Sequence, residues 1–190
     1  MTLATGPNGN EGGSYQFDGH ADSYIDFPNN GGLDLQHSIT VLCWLYLINL
    51  EKGSVFSYGS DDKHSGVHFR ITSLRTLWAI YAHRNYSETP ILKSDNILAR
   101  NQWHYVGTSY DHLTGIASIW VNGERVAQSS IGASLTLATQ DSVRIGAYKE
   151  RYLTGRIAAM QFFDAALTAK QINEVKESGL GKYLYHLVVI

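Results

Sequence analysis

The sequence predicts an all-β protein, an antiparallel β-sandwich of the jelly-roll type with one short surface helix towards the C-terminus. Apolar residues recur at every second position through most of the 190 residues, which is the period of a strand buried on one face. Turns rich in glycine, of which the chain has 18, separate these short runs. Many short strands joined by such turns are typical of sandwiches and jelly rolls.

The strand pattern is clearest at residues 39–45 and 67–71. Every odd position of residues 39–45 is apolar, and in residues 67–71 the polar His68 and Arg70 alternate with apolar residues. We therefore expect His68 and Arg70 to face outward. Further strands are predicted at residues 15–17, 24–27, 55–58, 77–83, 103–110, 116–121, 125–129, 142–147, 155–163 and, as a last candidate, 182–190.

Two local motifs indicate a tight hairpin and a helix. Asn122-Gly123 tolerates the two positive φ angles of a type I′ turn and predicts a two-residue hairpin. Thr168 and Gln171 have the spacing of a capping box, which predicts that a helix begins there. Gly179 fits the position that ends such a helix. We expect this helix to lie against the edge of the sandwich.

The composition excludes several classes of protein. The chain is too rich in apolar residues, at 44%, and too poor in charged residues, at 17%, to be disordered. Its net charge of −2 argues against nucleic acid as a partner. No run of about 18 apolar residues and no signal peptide is visible, so no membrane span is predicted. The single cysteine, Cys43, excludes an internal disulfide and is expected to be a buried strand residue.

The chain length predicts one domain. Residues 1–13, rich in glycine and asparagine, are expected to form a flexible lead-in, and residues 14–190 a single domain.

Four sequence blocks carry a resemblance to a known family. They are residues 17–27 (FDGHADSYIDF), residues 38–45 (SITVLCWL), residues 103–106 (WHYV) with 110–111 (YD) and 119–123 (IWVNG), and residues 143–146 (VRIG) with 155–157 (GRI) and 163–168 (FDAALT). In this order and spacing they resemble the laminin G-like, concanavalin A-like jelly-roll domains, close to the pentraxin branch. The resemblance covers roughly residues 14–179.

This resemblance implies a fold, a location and a class of function. Its members are mostly extracellular modules that bind glycans, proteins or matrix, so the chain is expected to be extracellular or the ectodomain of a larger protein. In such a sandwich Trp103, Val106, Ile119 and Val121 would fill the core. Gly146 would lie where a strand bends.

A calcium ion is the one cofactor that the resemblance suggests. Asp18 and Asp111, near strand ends, are the candidate metal ligands, because calcium prefers carboxylate and carbonyl oxygens. The family often carries an acidic residue after the Gly-Arg-Ile segment, where this chain has Ala158 and Ala159. The alternative interpretation is that both aspartates cap turns through backbone N–H groups.

Five outward-facing residues are the candidate ligand-binding set: His68, Arg70, Trp78, Tyr86 and Trp120. Aromatic rings stack on the apolar faces of sugars, and arginine and histidine donate hydrogen bonds to hydroxyl groups. For Trp78 and Trp120 the alternative is packing beneath a loop or against the helix.

The sequence contains none of the catalytic motifs that this fold would suggest. The Glu-x-Asp-x-x-Glu pattern of sandwich glycosidases is absent, as are a nucleophile elbow and a His-Glu-x-x-His zinc motif. We therefore expect a non-enzymatic recognition module that binds carbohydrate or extracellular-matrix glycan, with calcium as a candidate cofactor. The alternative is a protein–protein adhesion or assembly domain of a larger extracellular protein, without a sugar site.

Overall fold

The computed structural model describes residues 1–59, 66–178 and 188–189. Within these residues, two antiparallel sheets pack face to face and two further strands form a small hairpin. The strands are β1 (Thr2–Ala4), β2 (Ser14–Asp18), β3 (Ile25–Phe27), β4 (Ile39–Leu47), β5 (Gly53–Tyr58), β6 (His68–Ile71), β7 (Leu77–Ile80), β8 (Leu92–Lys93), β9 (Trp103–Asp111), β10 (Ile116–Val121), β11 (Glu124–Ser130), β12 (Val143–Ile145), β13 (Ala147–Tyr148), β14 (Arg151–Tyr152), β15 (Thr154–Phe163) and β16 (Val188–Val189), and the helix is α1 (Ala169–Ser178).

The strand order defines the two layers. Sheet A has the order β1-β2-β15-β4-β9-β10-β11, and β16 also pairs with β15. Sheet B has the order β3-β12-β5-β6-β7-β8. Strands β13 and β14 pair only with each other among the described residues. The predicted fold class, a β-sandwich with one short helix, is confirmed.

The hydrophobic core lies between the inner faces of the two sheets. Phe56 of sheet B has its ring centroid 5.9 Å from that of Phe162 in sheet A and 6.1 Å from that of Phe69 on the neighbouring strand. The odd positions of β4 face this core, as their alternation predicts. Cys43 is one of them, and burial raises the pKa of its thiol. The interpretation of Cys43 as a buried strand residue is therefore confirmed.

Helix α1 packs on the outer face of sheet A, not against an edge as the sequence suggested. Ile172 and Val175 of the helix join Leu42 and Trp120 of the sheet in a second, smaller apolar cluster. The helix therefore covers strands β4, β9 and β10 from outside, so sheet A is buried on both faces at this point.

The helix begins with the predicted capping box. The Gln171 backbone N–H donates to Thr168 Oγ1 at 3.3 Å, and the Thr168 N–H donates to Gln171 Oε1 at 2.9 Å. These two bonds satisfy groups that a helix start leaves unpaired. Gly179, the predicted helix end, lies outside the described residues.

The predicted hairpin turn is also present, and it holds the helix. Asn122 and Gly123 have φ angles of 54° and 91° and join β10 to β11. The Tyr105 N–H donates to Asn122 Oδ1 at 3.0 Å, and Lys176 Nζ donates to the Asn122 carbonyl oxygen at 3.0 Å. The turn is thus bonded both to sheet A and to the last turn of α1.

Three short strands, β1, β8 and β14, do not appear in the sequence prediction, because two or three residues are too few to show a period. The predicted strand at residues 142–147 is divided between β12 and the first residue of β13. Strand β1 lies in the lead-in expected to be flexible and pairs with β2. The domain boundary at Ser14 stays a prediction. Of the last candidate strand, the structure describes β16 alone.

One core residue is placed differently from the prediction. Val106, Ile119 and Val121 belong to the core, but Trp103 lies on the outer face of sheet A beside Tyr46. Residues 103 and 106 differ by three positions, so a straight strand directs their side chains to opposite faces.

Replacing Gly146 by alanine is expected to destabilise the fold by about 2–4 kcal/mol, because φ is 89° there and an added Cβ would meet the ring of the buried Phe17. Gly31 is the matched control, since its φ is 97° but no atom lies within 4 Å of an added Cβ. Gly31→Ala should cost only the conformational term of about 1 kcal/mol. Chemical denaturation measures both, and equal losses would contradict the proposed contact with Phe17.

Candidate functional site

The outer face of sheet B brings together three of the predicted ligand-binding residues. Strand register places Arg70 opposite Trp78, and Trp78 opposite Lys93 on the next strand. On the other side, Arg70 lies opposite Ser54. His68 lies on the same face, two residues before Arg70. Strands β5 to β8 thus contribute one row of side chains, Ser54, Arg70, Trp78 and Lys93. The sequence prediction missed Lys93 and Ser54, because only the pairing of strands places them beside Arg70 and Trp78.

Trp78 is held between two cations from the strands on either side of it. The Arg70 guanidinium carbon lies 4.8 Å from the centroid of the indole ring, and Lys93 Nζ lies 4.4 Å from it. The indole N–H donates to Thr76 Oγ1 at 3.1 Å. Cation–π attraction of this kind fixes the long side chains. Trp78 therefore supports the two cations, and these present the polar chemistry of the row.

Arg70 is half-buried and has no hydrogen-bond acceptor among the residues that the structure describes. Burial lowers the pKa of Arg70, and the nearby Arg151 lowers it further, whereas Glu88 opposes this. A guanidinium stays charged at neutral pH even so. Beside it, the buried Ser54 hydroxyl also has no hydrogen-bond partner within the described part of the chain. The row thus contains polar groups that the described protein atoms do not satisfy.

The β13–β14 hairpin covers one end of this face and adds more cations. Tyr148 stacks on His68, with ring centroids 5.1 Å apart and an angle of 29° between the rings. The hairpin turn then directs Lys149 and Arg151 to a surface cavity of about 450 Å³, lined also by Lys52, Glu150 and Tyr152.

His68 faces outward as predicted, but the hairpin buries it, so only 2% of it is exposed. Its Nδ1 lies 3.2 Å from the Gly66 carbonyl oxygen. Burial lowers the pKa of His68 to about 4, and the charges of Arg70, Arg151 and Lys149 act in the same direction. The residue is a neutral support for the hairpin and is not placed to contact a ligand.

We call Lys52, Arg70, Lys93, Lys149 and Arg151 the basic face. Within the described residues, none of these five side chains donates a hydrogen bond to a protein acceptor or has a carboxylate within 4.0 Å.

Two arginines elsewhere on the protein are paired with carboxylates. Arg84 makes two bonds of 2.6 and 2.8 Å to Asp34, and Arg144 makes two of 2.7 Å to Asp26. The basic face therefore differs from these pairs in leaving its cations to solvent or to a ligand.

Tyr86 lies apart from the row, in the loop between β7 and β8. Its hydroxyl donates to Asp141 Oδ2 at 2.9 Å, and in the same loop Arg84 binds Asp34. Both bonds tie the loop to segments at one end of the sandwich. The predicted binding residue Tyr86 is thus a fixed part of the rim.

Trp120 lies on the opposite side of the molecule, in sheet A, and is 5% exposed. Its indole N–H donates to Ser109 Oγ at 2.8 Å, and the helix packs over it. Of the two interpretations, packing against the helix describes its position. A groove of about 580 Å³ runs beside it, bordered by Asp111, Arg125 and Gln128.

The sequence prediction missed an aromatic pair on the uncovered part of sheet A. The rings of Tyr46 and Trp103 lie 5.4 Å apart, and the Arg156 guanidinium carbon lies 5.2 Å from the Tyr46 centroid. This resembles the arrangement of Arg70 on Trp78, except that Arg156 Nε donates to Gln16 Oε1 at 3.0 Å. Variants of this group on sheet A can therefore serve as controls for variants of the Arg70–Trp78 pair on sheet B.

The two candidate calcium ligands lie at opposite ends of sheet A. Asp18 pairs with Thr154, beside the last residue of β4, Leu47. Asp111 follows Tyr110, which pairs with the first residue of β4, Ile39. A strand of this length separates them by roughly 25–30 Å. They cannot bind one ion together.

Each of these aspartates caps a turn. Asp18 Oδ1 accepts the His20 N–H at 3.2 Å, and Asp111 accepts the Leu113 N–H at 3.0 Å and the Thr114 hydroxyl at 2.7 Å. No three His, Cys, Asp or Glu side chains within the described ranges could hold a metal ion. Asp18 and Asp111 therefore do not fit a shared calcium site. Among the helices that the structure describes, none is long and apolar enough to cross a membrane.

Comparison with known proteins identifies a family and several similar folds. A laminin G model, described as the concanavalin A-like lectin/glucanases superfamily, matches residues 18–173. No curated protein matches the sequence.

Solved structures share the fold. A native heptameric SAP-like pentraxin from Limulus polyphemus is 16% identical, with 92% of this chain and 90% of the pentraxin covered and a TM-score of 0.67. A putative carbohydrate binding protein from Bacteroides ovatus is 22% identical (85% and 46% covered, TM-score 0.65), and the binding domain of botulinum neurotoxin serotype G is 14% identical (94% and 46% covered, TM-score 0.70). This chain thus spans less than half of the last two. At these identities the likeness concerns the fold alone.

Trp120→Ala is expected to reduce the free energy of unfolding by about 3–5 kcal/mol, because the side chain is buried beneath the helix. Trp103→Ala, at a half-buried position of the same sheet, should cost less. Chemical denaturation followed by circular dichroism measures both. A fully stable Trp120→Ala variant would show that the helix does not depend on this contact.

The folded state is expected to lose stability as the pH falls from about 6.5 towards 4. Because burial lowers the pKa of folded His68 to about 4, the unfolded chain binds the proton first. The contribution is intact above pH 6.5 and decreases by at most about 1.4 kcal/mol per pH unit below it. Denaturation of the wild type and of His68→Asn across this range tests the prediction, and identical slopes would contradict it.

Proposed function

The chain belongs to the concanavalin A-like lectin/glucanases superfamily, and from this premise we propose that it is a non-enzymatic recognition module that binds carbohydrate through the outer face of sheet B. The proposal places the protein outside the cell, in keeping with its laminin G-like family. It assigns the contacts with ligand to Arg70, Lys93 and the groups beside them.

The observation that carries the proposal is the row formed by Lys93, Trp78, Arg70 and Ser54. Arg70 directs N–H donors at a surface where no described protein atom accepts them, and Trp78 holds it in place. Sugar hydroxyl and ring oxygens are acceptors for such donors. Because the row crosses four paired strands, its geometry is fixed before a ligand arrives, which lowers the entropic cost of binding.

The neighbouring loop supports the same surface. Residues 81–91 connect β7 to β8, and the pairs Arg84–Asp34 and Tyr86–Asp141 anchor this loop to the rim. Loops fixed on a rigid scaffold commonly determine specificity. Among structures of the same fold, one is described as a putative carbohydrate binding protein, which supports a ligand of this class.

The alternative function, protein–protein adhesion, is favoured by a separate observation. Met1, Leu3 of β1 and Tyr15 of β2 are 47%, 64% and 41% exposed. Leu3 and Tyr15 border an apolar crevice of about 310 Å³ that opens between the sheets. Exposed apolar clusters of this kind mark sites of contact with other proteins.

A glycan array with isothermal titration of the best ligands tests the proposal. Arg70→Gln and Trp78→Ala are expected to weaken binding about tenfold, the effect of losing about 1.4 kcal/mol of a charged contact. Arg156→Gln and Trp103→Ala are the matched controls, because they change the same residue types at half-buried positions of sheet A, where both side chains contact Tyr46. The controls should bind like the wild type.

The array is run with calcium and with EDTA. Equal binding is expected, because cations and N–H donors line the row. Loss of binding in EDTA, or loss only in the sheet A variants, would overturn the assignment to sheet B. Absence of binding to any glycan would overturn the carbohydrate proposal and leave the adhesion function.

A further inference from the structure

We infer that the ligand of sheet B is an acidic polysaccharide, a chain that carries sulfate, phosphate or carboxylate groups, and that the basic face binds these groups. The inference rests on the proposed carbohydrate function and specifies its chemistry. It assigns Lys149 and Arg151 to ligand binding, which neither the sequence motifs nor the family match does.

The charges of this protein are segregated. The chain has a net charge of −2, yet five of its 15 Lys and Arg residues lie in the basic face. Glu88 lies near Arg70, and Glu150 lies in the hairpin turn, but neither forms an ion pair with a cation of the basic face in the described structure. A concentration of one charge on a nearly neutral protein attracts ligands of the opposite charge.

The cations of the basic face form a connected series. Lys93 and Arg70 contact the same indole ring, Arg70 is close enough to Arg151 for their charges to affect each other, and Arg151 lines one cavity with Lys149 and Lys52. The row from β8 to β5 alone covers three interstrand spacings, roughly 14 Å. A ligand that contacts the whole series needs several anionic groups along a chain, which a single monosaccharide does not provide.

An anion matches this surface better than a neutral sugar does. Burial and the nearby charge of Arg151 already disfavour the charged form of Arg70. A bound ligand removes further water from this side chain. Covering like charges with neutral hydroxyl groups adds to the desolvation cost, whereas a sulfate or carboxylate offsets it. The guanidinium groups of Arg70 and Arg151 can also make the paired N–H···O contacts that such anions accept.

The hairpin that carries two of the cations is held in place. Tyr148 stacks on the neutral, buried His68, and the backbone N–H of Leu153 donates to the Gly146 carbonyl oxygen at 2.8 Å, at the base of the hairpin. Lys149 and Arg151 therefore stand on a fixed element above sheet B. A fixed backbone keeps these cations close together before a ligand binds, which lowers the entropic cost of binding.

Dextran sulfate and unmodified dextran, which share a backbone, are the probes that test this inference. We expect the full chain to bind dextran sulfate, with an affinity that decreases steeply as sodium chloride is added, and to bind unmodified dextran much more weakly. The double variant Lys149→Gln/Arg151→Gln should lose about tenfold in affinity, as expected for two lost charge contacts.

Arg125→Gln/Lys170→Gln is the matched control. It removes the same two residue types from exposed positions on the side of sheet A. This control should retain the affinity of the wild type. A polyaspartate peptide, a DNA duplex and phosphatidylserine vesicles are measured in parallel.

The outcomes separate this inference from the function on which it rests. Equal losses in the two double variants, or equal binding of polyaspartate, DNA or vesicles, would show general attraction to polyanions and overturn the inference. Array binding of neutral glycans that depends on Arg70 but not on Lys149 and Arg151 would overturn the inference and leave the proposed function standing. If no glycan bound, both would be wrong.

Discussion

The packing of apolar side chains between the two sheets is the constraint on which the other features depend. Once Phe69 is directed into the core beside Phe56, its neighbour Arg70 must face outward. The same reasoning places Trp78 outward between the buried Leu77 and Ala79. The proposed binding surface is thus a consequence of the core, because the residues available for recognition are those that alternate with the core residues along each strand.

The direction of these side chains could be predicted from the sequence, but not what covers them. Alternation indicated correctly that His68, Arg70 and Trp120 leave the core. It could not show that a hairpin of two-residue strands would close over His68, or that a helix more than forty residues further along the chain would cover Trp120. Whether an outward-facing side chain is covered by another element depends on contacts between distant parts of the chain, and no local sequence pattern indicates these contacts.

Charge clustering is hidden in the sequence for a related reason. The cations of the basic face come from separate segments of the chain, as the positions of Lys52, Arg70, Lys93 and Arg151 show. No run of basic residues therefore indicates the basic face in the sequence. Strand pairing alone brings them together. The wrong prediction for Trp103 shows the opposite difficulty. Most of β9 is buried at odd and even positions alike, so its sequence does not show which face Trp103 takes.

The strand order also separates the terminal strands from the basic face. Both β1 and β16, the first and last strands that the structure describes, belong to sheet A. The basic face belongs to the other layer and to the hairpin that packs on it. A sensor chip or bead attached beside β1 therefore lies on the layer away from sheet B, and a long polymer can approach the basic face without passing the support.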